Sequence, residues 1–357
     1  MAARTWLDGG HRVTRTVIRT DALMVPIAQF SHGLRVGDEI HLGATAGTDA
    51  KRRLAGTPPA QADQMYRNMK LALELLGGSL EDVVRLKIYI TDWRDLGACE
   101  EAYGKHFGSH QPSRTTVASW GFPLPFALIE AELTAVVGSP DVHYAVAGGE
   151  DARQALSSLG REIEQAGMRL SDVVKLTVTL ADLRDQPAFE AVFTGFFRPP
   201  YPARTVTVAP LSDPQKRFEI ESVAVAGGGQ PVEARGVVAG PGAASPAMLA
   251  GEHLYISAQP GVEAVGVEAQ TRAAWRRIHA LTESAGMGAA DVVRTNNWLV
   301  DWRSYKAFNA GYADYVQPPY PPRATVIGGI LEPGALVQIE ALAHRDAHFA
   351  TVLETKV

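Results

Sequence analysis

Apolar positions along this chain follow two periods, which predicts a mixture of helices and strands. Within residues 60–76, Met65, Met69 and Leu73 recur at helical spacing, and a pair of glycines follows as a stop signal. On either side of this helix lie short runs rich in β-branched residues, bounded by glycine and proline, which are typical of strands. From Val25 onwards the predicted order of elements is β-β-α-β-α-β-β.

Three landmarks show that this series of elements occurs three times. Each copy has the motif Asp-Val-Val, then an aspartate that ends the following strand, then an arginine that stands between prolines and a β-branched run. The separations between landmarks are identical in all three copies, which marks an internal repeat. In chain order the landmarks are Asp82, Asp92 and Arg114, then Asp172, Asp182 and Arg204, and finally Asp291, Asp301 and Arg323.

The repeat predicts three domain-sized units. Only Val142–Gly149 precedes the first helix of the second copy, so that unit is expected to have a shortened N-terminal hairpin. Three related units in one chain indicate pseudo-threefold symmetry, as a fused homotrimer would have. The predicted parts are an N-terminal arm without expected function at 1–22, units at 23–138, 139–227 and 234–346, and a C-terminal tail at 347–357.

Composition narrows the classes of partner. A net charge of -5 and an isoelectric point near 6.1 disfavour nucleic acid and anionic membranes, because both attract basic surfaces. No run of about eighteen apolar residues predicts a membrane span, and the N-terminal segment lacks the apolar core of a secretory signal, so a cytoplasmic location is expected. Cys99, the single cysteine, leaves no internal disulfide or zinc cluster. Small molecules or other proteins remain as partners.

The repeated arginine and two carboxylates on the last strand are the candidate chemistry. The planar guanidinium of arginine suits a carboxylate ligand, and the structural alternative is a salt bridge to a strand glutamate of the same copy. Alternation places Glu130 and Glu132 on one face of their strand. A partly buried carboxylate near an arginine is expected to stay ionised and to orient water toward an electrophilic carbon. The alternative is a carboxylate pair that is exposed or lines a barrel.

Together these motifs resemble the RidA (YjgF/UK114) family over nearly all of residues 23–346. Copy three has Y-I-S-A-Q-P-G, D-V-V-R, A-F-N-A-G-Y, P-P-R-A and Q-I-E-A-L-A, which match the family's S-G-Q, D-V-V-K, helix asparagine, P-A-R-S and I-E-I-E-A-I-A-V patterns. The resemblance implies an α+β fold of three chorismate-mutase-like units in an intrachain pseudo-trimer, with sheets inside, helices outside and ligand clefts between units. It also implies hydrolysis of a small carboxylate-bearing imine or enamine to a 2-oxo acid and ammonia, without cofactor or metal.

Carried over position by position, the resemblance assigns the candidate site residues. The family's water-positioning glutamate matches Glu130 and Glu219, the candidate catalytic residues, whereas the third copy has Gln338. The family's N-terminal aromatic residue corresponds to Phe30 in copy one and to Ala244 in copy three. The candidate substrate-binding residues are Arg114, Arg204, Arg323, Ser257, Asn309 and Gln338.

The copies keep these residues unevenly. The hairpin serine is present only as Ser257, with Gly43 in copy one, and the helix asparagine only as Asn309, with Glu100 and Glu190 elsewhere. No copy carries the complete set, yet the clefts form between copies, so we expect one or two competent clefts and at least one degraded cleft. A working site would combine the glutamate-bearing strand of one copy with the Ser257 or Asn309 side of another.

Two other functions stay open at the level of sequence. The loss of the usual serine, asparagine and glutamate combination favours a divergent enzyme that performs cyclisation, isomerisation or lyase chemistry in a dedicated pathway. Arginines without a competent base would instead serve a non-catalytic ligand-binding or regulatory protein. Self-association beyond the intrachain pseudo-trimer is also left open.

Overall fold

The structure is a computed structural model that describes residues 15–138, 141–345, 347 and 350–355. It contains three sheets, each accompanied by two helices, and the units adjoin one another in a single pseudo-trimer. The predicted α+β fold of three related units is therefore confirmed. The first fourteen residues of the predicted arm lie outside the described residues.

Unit 1 has the predicted order of elements, preceded by one additional strand. Its elements are β1 (Arg15–Thr20), β2 (Gly33–Val36), β3 (Glu39–Ala46), α1 (Pro58–Leu75), β4 (Val83–Ile90), α2 (Leu96–Phe107), β5 (Ser113–Ala118) and β6 (Ile129–Val136). Unit 2 has a single strand before its first helix, as the shortened copy predicts. Its elements are β7 (Val142–Gly149), α3 (Ala152–Gln165), β8 (Val173–Leu180), α4 (Gln186–Phe196), β9 (Ala203–Val208) and β10 (Phe218–Val225).

Unit 3 repeats the order and adds short strands at its edges. Its elements are β11 (Gln230–Val232), β12 (Ala247–Ala250), β13 (His253–Pro260), α5 (Val267–Ser284), β14 (Val292–Leu299), α6 (Tyr305–Ala313), β15 (Arg323–Ile327), β16 (Gly329–Ile330), β17 (Val337–His344) and β18 (Ala350–Thr355). β16 pairs with β9 of unit 2, so the sheets of units 2 and 3 are linked by backbone hydrogen bonds.

Each unit buries an apolar core between its sheet and its helices. Met65, Met69 and Leu73 of α1 are fully buried against the sheet of unit 1, as their helical spacing predicts. In unit 2, α3 begins after Asp151, whose carboxylate accepts a hydrogen bond of 2.8 Å from the backbone N–H of Gln154. Local sequence thus determines where these helices begin and which face they bury.

The closing strand of each unit lies inside its sheet, and the arginine-bearing strand lies toward an edge. In unit 1, β6 pairs antiparallel with both β3 and β4, while β5 pairs parallel with β4 after the crossover through α2. β10 and β17 occupy the same central place in their sheets, with β9 and β15 in the place of β5. Each arginine can therefore face a neighbouring unit, whereas each closing-strand glutamate is held centrally.

The two ends of the described chain meet in the sheet of unit 1. β18 pairs parallel with β1, in a register from Arg15 opposite Ala350 to Thr20 opposite Thr355. β1 in turn pairs antiparallel with β2. Because β18 comes directly after β17, the closing strand of unit 3, this pairing connects unit 3 back to unit 1 and closes the ring of units.

The inner faces of the sheets pack against one another around a charged centre. Apolar residues from all three units, among them Val36, Val174 and Leu342, form one shared cluster. The second glutamates of the closing strands are also buried there. Arg85 donates to Glu132 at 3.1 Å, and Lys175 lies 2.9 Å from Glu340.

The charged centre explains why the second glutamates are structural. Burial alone would raise the pKa of Glu221, but the charges of Lys87 and Arg85 outweigh burial and lower that pKa to about 2. Asn296 of unit 3 donates to Glu132 of unit 1, so these contacts cross between units. The second glutamates hold the pseudo-trimer together, and side chains of the same protein bind them.

A turn before β6 carries backbone strain that a single substitution should relieve. Phe126 has a φ of +66°, and the corresponding turn of unit 3 has Gly334 at +81°. Phe126 is 88% exposed, so a substitution there removes little packing. A left-handed φ costs a non-glycine residue about 1 kcal/mol. We expect Phe126→Gly to raise the free energy of unfolding by about 1 kcal/mol in chemical denaturation. Gly334→Ala is the matched control and should lower it; a destabilised Phe126→Gly protein would contradict the assignment of strain.

Candidate active sites between the units

Each repeated arginine lies in a different cleft between two units. Across the cleft from each arginine lies the closing strand of the neighbouring unit. The residue that lines the cleft from this strand is the one at the first glutamate position of the family pattern. Cleft 3/1 contains Arg323 of unit 3 and Glu130 of unit 1, cleft 1/2 contains Arg114 and Glu219, and cleft 2/3 contains Arg204 and Gln338. The pairing is set by which units are neighbours, so each site uses two copies of the repeat.

The lining of cleft 3/1 comes from both units. Unit 1 contributes Phe30 from the segment before β2, two alanines of β3 and Glu130 of β6, while unit 3 contributes Tyr305 and Thr325 beside Arg323. The cavity has a volume of about 40 Å³. A water molecule needs about 10–15 Å³ of such space, so the cleft accepts only a small polar group with its nearest atoms.

Arg323 is a buried cation without a carboxylate partner among the residues that the structure describes. Its Nη2 donates to Asn309 Oδ1 at 2.5 Å and to the Tyr305 hydroxyl at 3.1 Å, and its Nη1 is buried without a hydrogen-bond partner. Aromatic rings surround the guanidinium carbon, with centroids 4.5 Å away at Tyr312 and 5.5 Å away at Phe30. A buried guanidinium of this kind is ready to bind an anion.

The other two arginines already hold a carboxylate of their own unit. Arg204 donates to Glu190 at 2.6 Å, and Arg114 donates to Glu100 at 2.8 Å. Glu100 and Glu190 occupy the helical position that Asn309 has in unit 3. The alternative of a salt bridge within the same copy therefore holds for these two arginines, but the expected partner is wrong. The glutamate lies on the helix and not on the strand. Arg204 also has a buried Nη1 without a partner, but Glu190 compensates its charge.

Glu130 is held in its neutral form by burial. Glu130 is 7% exposed, and its carboxyl group makes no hydrogen bond or ion pair with any part of the chain that the structure describes. Burial raises the pKa of Glu130 to about 8, so the carboxyl group is largely protonated at neutral pH. Burial also raises the pKa of Glu219 to about 7, although Lys216 lies 3.9 Å away and opposes this rise. The raised pKa of Glu130 thus departs from the expectation of an ionised carboxylate.

The three-copy architecture is matched by comparison with known proteins. The family model described as endoribonuclease L-PSP matches residues 20–137, 145–226 and 240–345. The chain belongs to the endoribonuclease L-PSP family. A RutC family protein of Pyrococcus abyssi is 30% identical over 125 residues, which are 34% of this chain and 98% of that protein. The matching segments confirm three tandem, divergent copies.

Two solved structures that are similar to this chain cover different shares of it. RidA from the Antarctic bacterium Psychrobacter is 27% identical and covers 34% of this chain and 98% of its own, with a TM-score of 0.32. A chorismatase covers 74% of this chain and 93% of its own, with a TM-score of 0.55 and 16% identity. At that identity the chorismatase shows a shared multi-unit fold. The resemblance to RidA proteins is confirmed.

In cleft 2/3, the polar side chains that match the family pattern bind the protein's own backbone. Ser257 is fully buried, and its Oγ accepts from the backbone N–H of Arg204 at 2.8 Å and donates to the Ser245 carbonyl at 2.7 Å. Gln338 donates to the Val206 carbonyl at 3.1 Å. The cavity is about 20 Å³. The structure therefore places Ser257 and Asn309 in different clefts.

Cleft 1/2 is the widest of the three, with a volume of about 550 Å³. Unit 2 has only β7 on this side, without a counterpart of β2 or of the segment that carries Phe30 in cleft 3/1. Arg114 is engaged by Glu100, whose side chain is 41% exposed. Glu219 is buried like Glu130, but Arg114, Lys216 and Glu100 also line its cleft, so it lacks the single-cation setting of cleft 3/1.

Several residues of cleft 3/1 escape prediction from sequence. Tyr305 and Tyr312 lie on α6 at helical spacing, a pattern that indicates packing as readily as contact with an arginine. Gly43, where the family's serine is missing, permits close contact between units, because an added Cβ would lie 2.7 Å from the backbone N and O of Arg323. The signal that could have found this contact is a glycine inside a strand pattern.

Other chemistries find no support in the described ranges. No group of three or more histidine, cysteine, aspartate or glutamate side chains there is arranged to hold a metal ion. Burial raises the pKa of the Cys99 thiol to about 12, which suits packing and not nucleophilic attack. Over the same ranges, every helix is too short or too polar to cross a membrane.

Proposed function

We propose that the protein hydrolyses a small imine or enamine carboxylic acid to a 2-oxo acid and ammonia in cleft 3/1. The observation that carries this proposal is the meeting of a buried arginine without a carboxylate partner, Arg323, and a neutral carboxyl group, Glu130, in one small cavity. Clefts 1/2 and 2/3 lack this combination, because an internal glutamate occupies each arginine.

Binding follows from the fork of Arg323. Its free Nη1–H and the neighbouring Nη2–H can donate to the two oxygens of a substrate carboxylate. The negative charge of the carboxylate would neutralise the guanidinium. Asn309 holds the arginine without neutralising it, which is the difference from Glu100 and Glu190. An anionic substrate is therefore favoured only in cleft 3/1.

The chemistry follows from the proton on Glu130. Donation of that proton to the imine nitrogen, or to the enamine carbon, makes the C=N carbon electrophilic. Water adds to this carbon and gives its proton back to the Glu130 carboxylate, which then protonates the amino nitrogen. Ammonia leaves as the C=O bond forms, and the hydroxyl proton restores Glu130. The balance is imine plus water to 2-oxo acid plus ammonia, with no other reactant.

A small-molecule substrate also fits better than RNA, despite the endoribonuclease description of the family. The cavity of about 40 Å³ is too small for a nucleotide, and the net charge of -5 gives no long-range attraction for a polyanion. A divergent cyclase, isomerase or lyase would use the same arginine, and a pure binding protein would use it without turnover. The assay below separates these possibilities.

Wild-type protein is expected to release ammonia and 2-oxobutanoate from enzymatically generated 2-iminobutanoate well above the spontaneous rate. Both products are measured, and their amounts should agree. Gln338→Ala is the matched control, because it alters the corresponding position of cleft 2/3 and should leave the rate unchanged. Release no faster than in buffer would remove the deaminase proposal and favour ligand binding or different chemistry.

A further inference from the structure

A second cavity lies beside cleft 3/1, on the other side of one short segment of chain. Its volume is about 380 Å³, within the range of small-molecule binding pockets. β1, the segment 25–32, the loop at Pro318–Tyr320 and Val352 of β18 form its walls. We call this cavity the distal pocket.

The segment 24–30 separates the distal pocket from the cleft. Met24 and Ile27 line the cleft, Pro26 and Ala28 line the distal pocket, and Phe30 lines both. The segment contains neither helix nor strand. The Phe30 ring lies 5.5 Å from the Arg323 guanidinium carbon and contacts His32 edge-on, with centroids 6.3 Å apart. Phe30, beside Arg323, is thus the wall that the cleft and the distal pocket share.

The size of cleft 3/1 requires an outlet for any larger substrate. A cavity of about 40 Å³ accommodates a carboxylate and the adjoining C=N group, with no room for a long side chain. The distal pocket offers that room. Most of its lining is apolar, including Val17, Ala28 and Val352, and its polar residues are Arg19, Thr20, Ser31 and His32. Apolar walls favour an apolar substituent, by about fourfold in affinity for each buried methylene group.

One side of the distal pocket, formed by Val17, Ile18, Arg19 and Val352, is built from parts of the chain outside the repeated family unit. The family matches cover residues 20–137 and 240–345, whereas most of β1 and all of β18 lie beyond them. β1 and β18 pair with each other because the fold brings the two ends of the described chain together. β1 and β18 therefore add one side of the pocket to the common unit.

We propose that the distal pocket binds the apolar side chain of the substrate whose carboxylate is held by Arg323. This inference rests on the function proposed above and specifies its substrate as an imino or enamine acid with a long aliphatic or an aromatic side chain. Val17, Ile18 and Arg19, which belong to the arm without expected function, then determine specificity together with Val352 of β18.

The test compares short and long ligands by two independent readouts. Calorimetric binding of 2-oxobutanoate and 2-oxooctanoate should show at least about tenfold tighter binding of the longer acid. The value of kcat/KM for the corresponding imino acids, generated in situ, should rise in the same direction. Val352→Trp and Ala28→Phe, which fill the pocket from two sides, should each remove the preference and leave the short ligand unaffected.

Leu353→Trp is the matched control, because alternation turns this neighbouring residue, 37% exposed, to the opposite face of β18. It should keep the preference for the longer ligand. Turnover of the short imino acid without any length preference would overturn the distal pocket while leaving the proposed function intact. A length preference in binding that both filling variants remove, without turnover, would support the pocket and overturn the deaminase function. Absence of both would overturn both.

Discussion

Replacing Arg323 with methionine is expected to lower kcat/KM by about a thousandfold. Removing one partner of a buried, hydrogen-bonded charge pair costs several kcal/mol, and about 4 kcal/mol corresponds to three orders of magnitude. The substrate carboxylate would then enter a buried cavity without a compensating cation. Initial rates with 2-iminobutanoate over a range of concentrations measure this loss.

Arg114→Met is the matched control for Arg323→Met. Its arginine has the same place in the repeat but is bound by Glu100 in the open cleft 1/2, so kcat/KM should change less than about threefold. Equal losses in the two variants would show that the arginines support the fold and not the substrate.

The free energy of unfolding should depend on Arg204 and not on Arg323, whereas activity should depend on Arg323. Arg323 is buried without a carboxylate, so Arg323→Met should leave the melting temperature unchanged or raised. Arg204→Met would leave Glu190 partly buried and unpaired, and should lower the free energy of unfolding by about 3 kcal/mol. An inactive and unusually stable Arg323→Met protein would separate loss of function from loss of fold.

Replacing Glu130 with glutamine is expected to lower kcat by about two to three orders of magnitude, the usual contribution of a positioned acid-base group. Glutamine keeps the shape and removes the transferable proton. Glu219→Gln makes the same change in cleft 1/2 and should leave kcat within about threefold. Similar losses in both variants would move the chemistry, at least in part, to cleft 1/2.

The pH dependence follows from the raised pKa of Glu130. The proton donor persists up to a pKa of about 8, so kcat/KM should fall as the pH rises through 8, and the residual rate of Glu130→Gln should lack this step. A rate that rises through the same pH would assign Glu130 the role of a base.

Unfolding reports the same ionisation without any substrate. The folded protein keeps a proton on Glu130 that the unfolded chain releases above its ordinary pKa of 4.5. Stability relative to Glu130→Gln should therefore be greatest below 4.5 and should decline by roughly 1.4 kcal/mol per pH unit up to about 8. A difference that stays constant with pH would show that the group titrates normally.

The fold was open to prediction because its signals are local. Helical spacing identified α1, the short second copy predicted a unit with β7 alone, and constant landmark spacing revealed the repeat. Each of these depends on residues close together in the chain. β18 carried no comparable signal, since its partner β1 lies more than 300 residues away.

The candidate site could be predicted only as a set of residue types. The arginine and glutamate positions were visible in each copy, but the sequence does not state that Arg323 meets Glu130 while Arg204 meets Gln338. Ser257 matched the family pattern, yet the structure uses it to bind the backbone of Arg204.

Periodicity and spacing along the chain were enough to find three repeated units, their elements and one arginine in each, because both are properties of neighbouring residues. Which cleft has an arginine free for an anion follows instead from the assembled units. That outcome depends on the exchange of Glu100 and Glu190 for Asn309 beside an arginine, and on the burial that keeps Glu130 protonated. Charge compensation and desolvation arise from atoms that distant parts of the chain bring together, and spacing along the chain does not encode them.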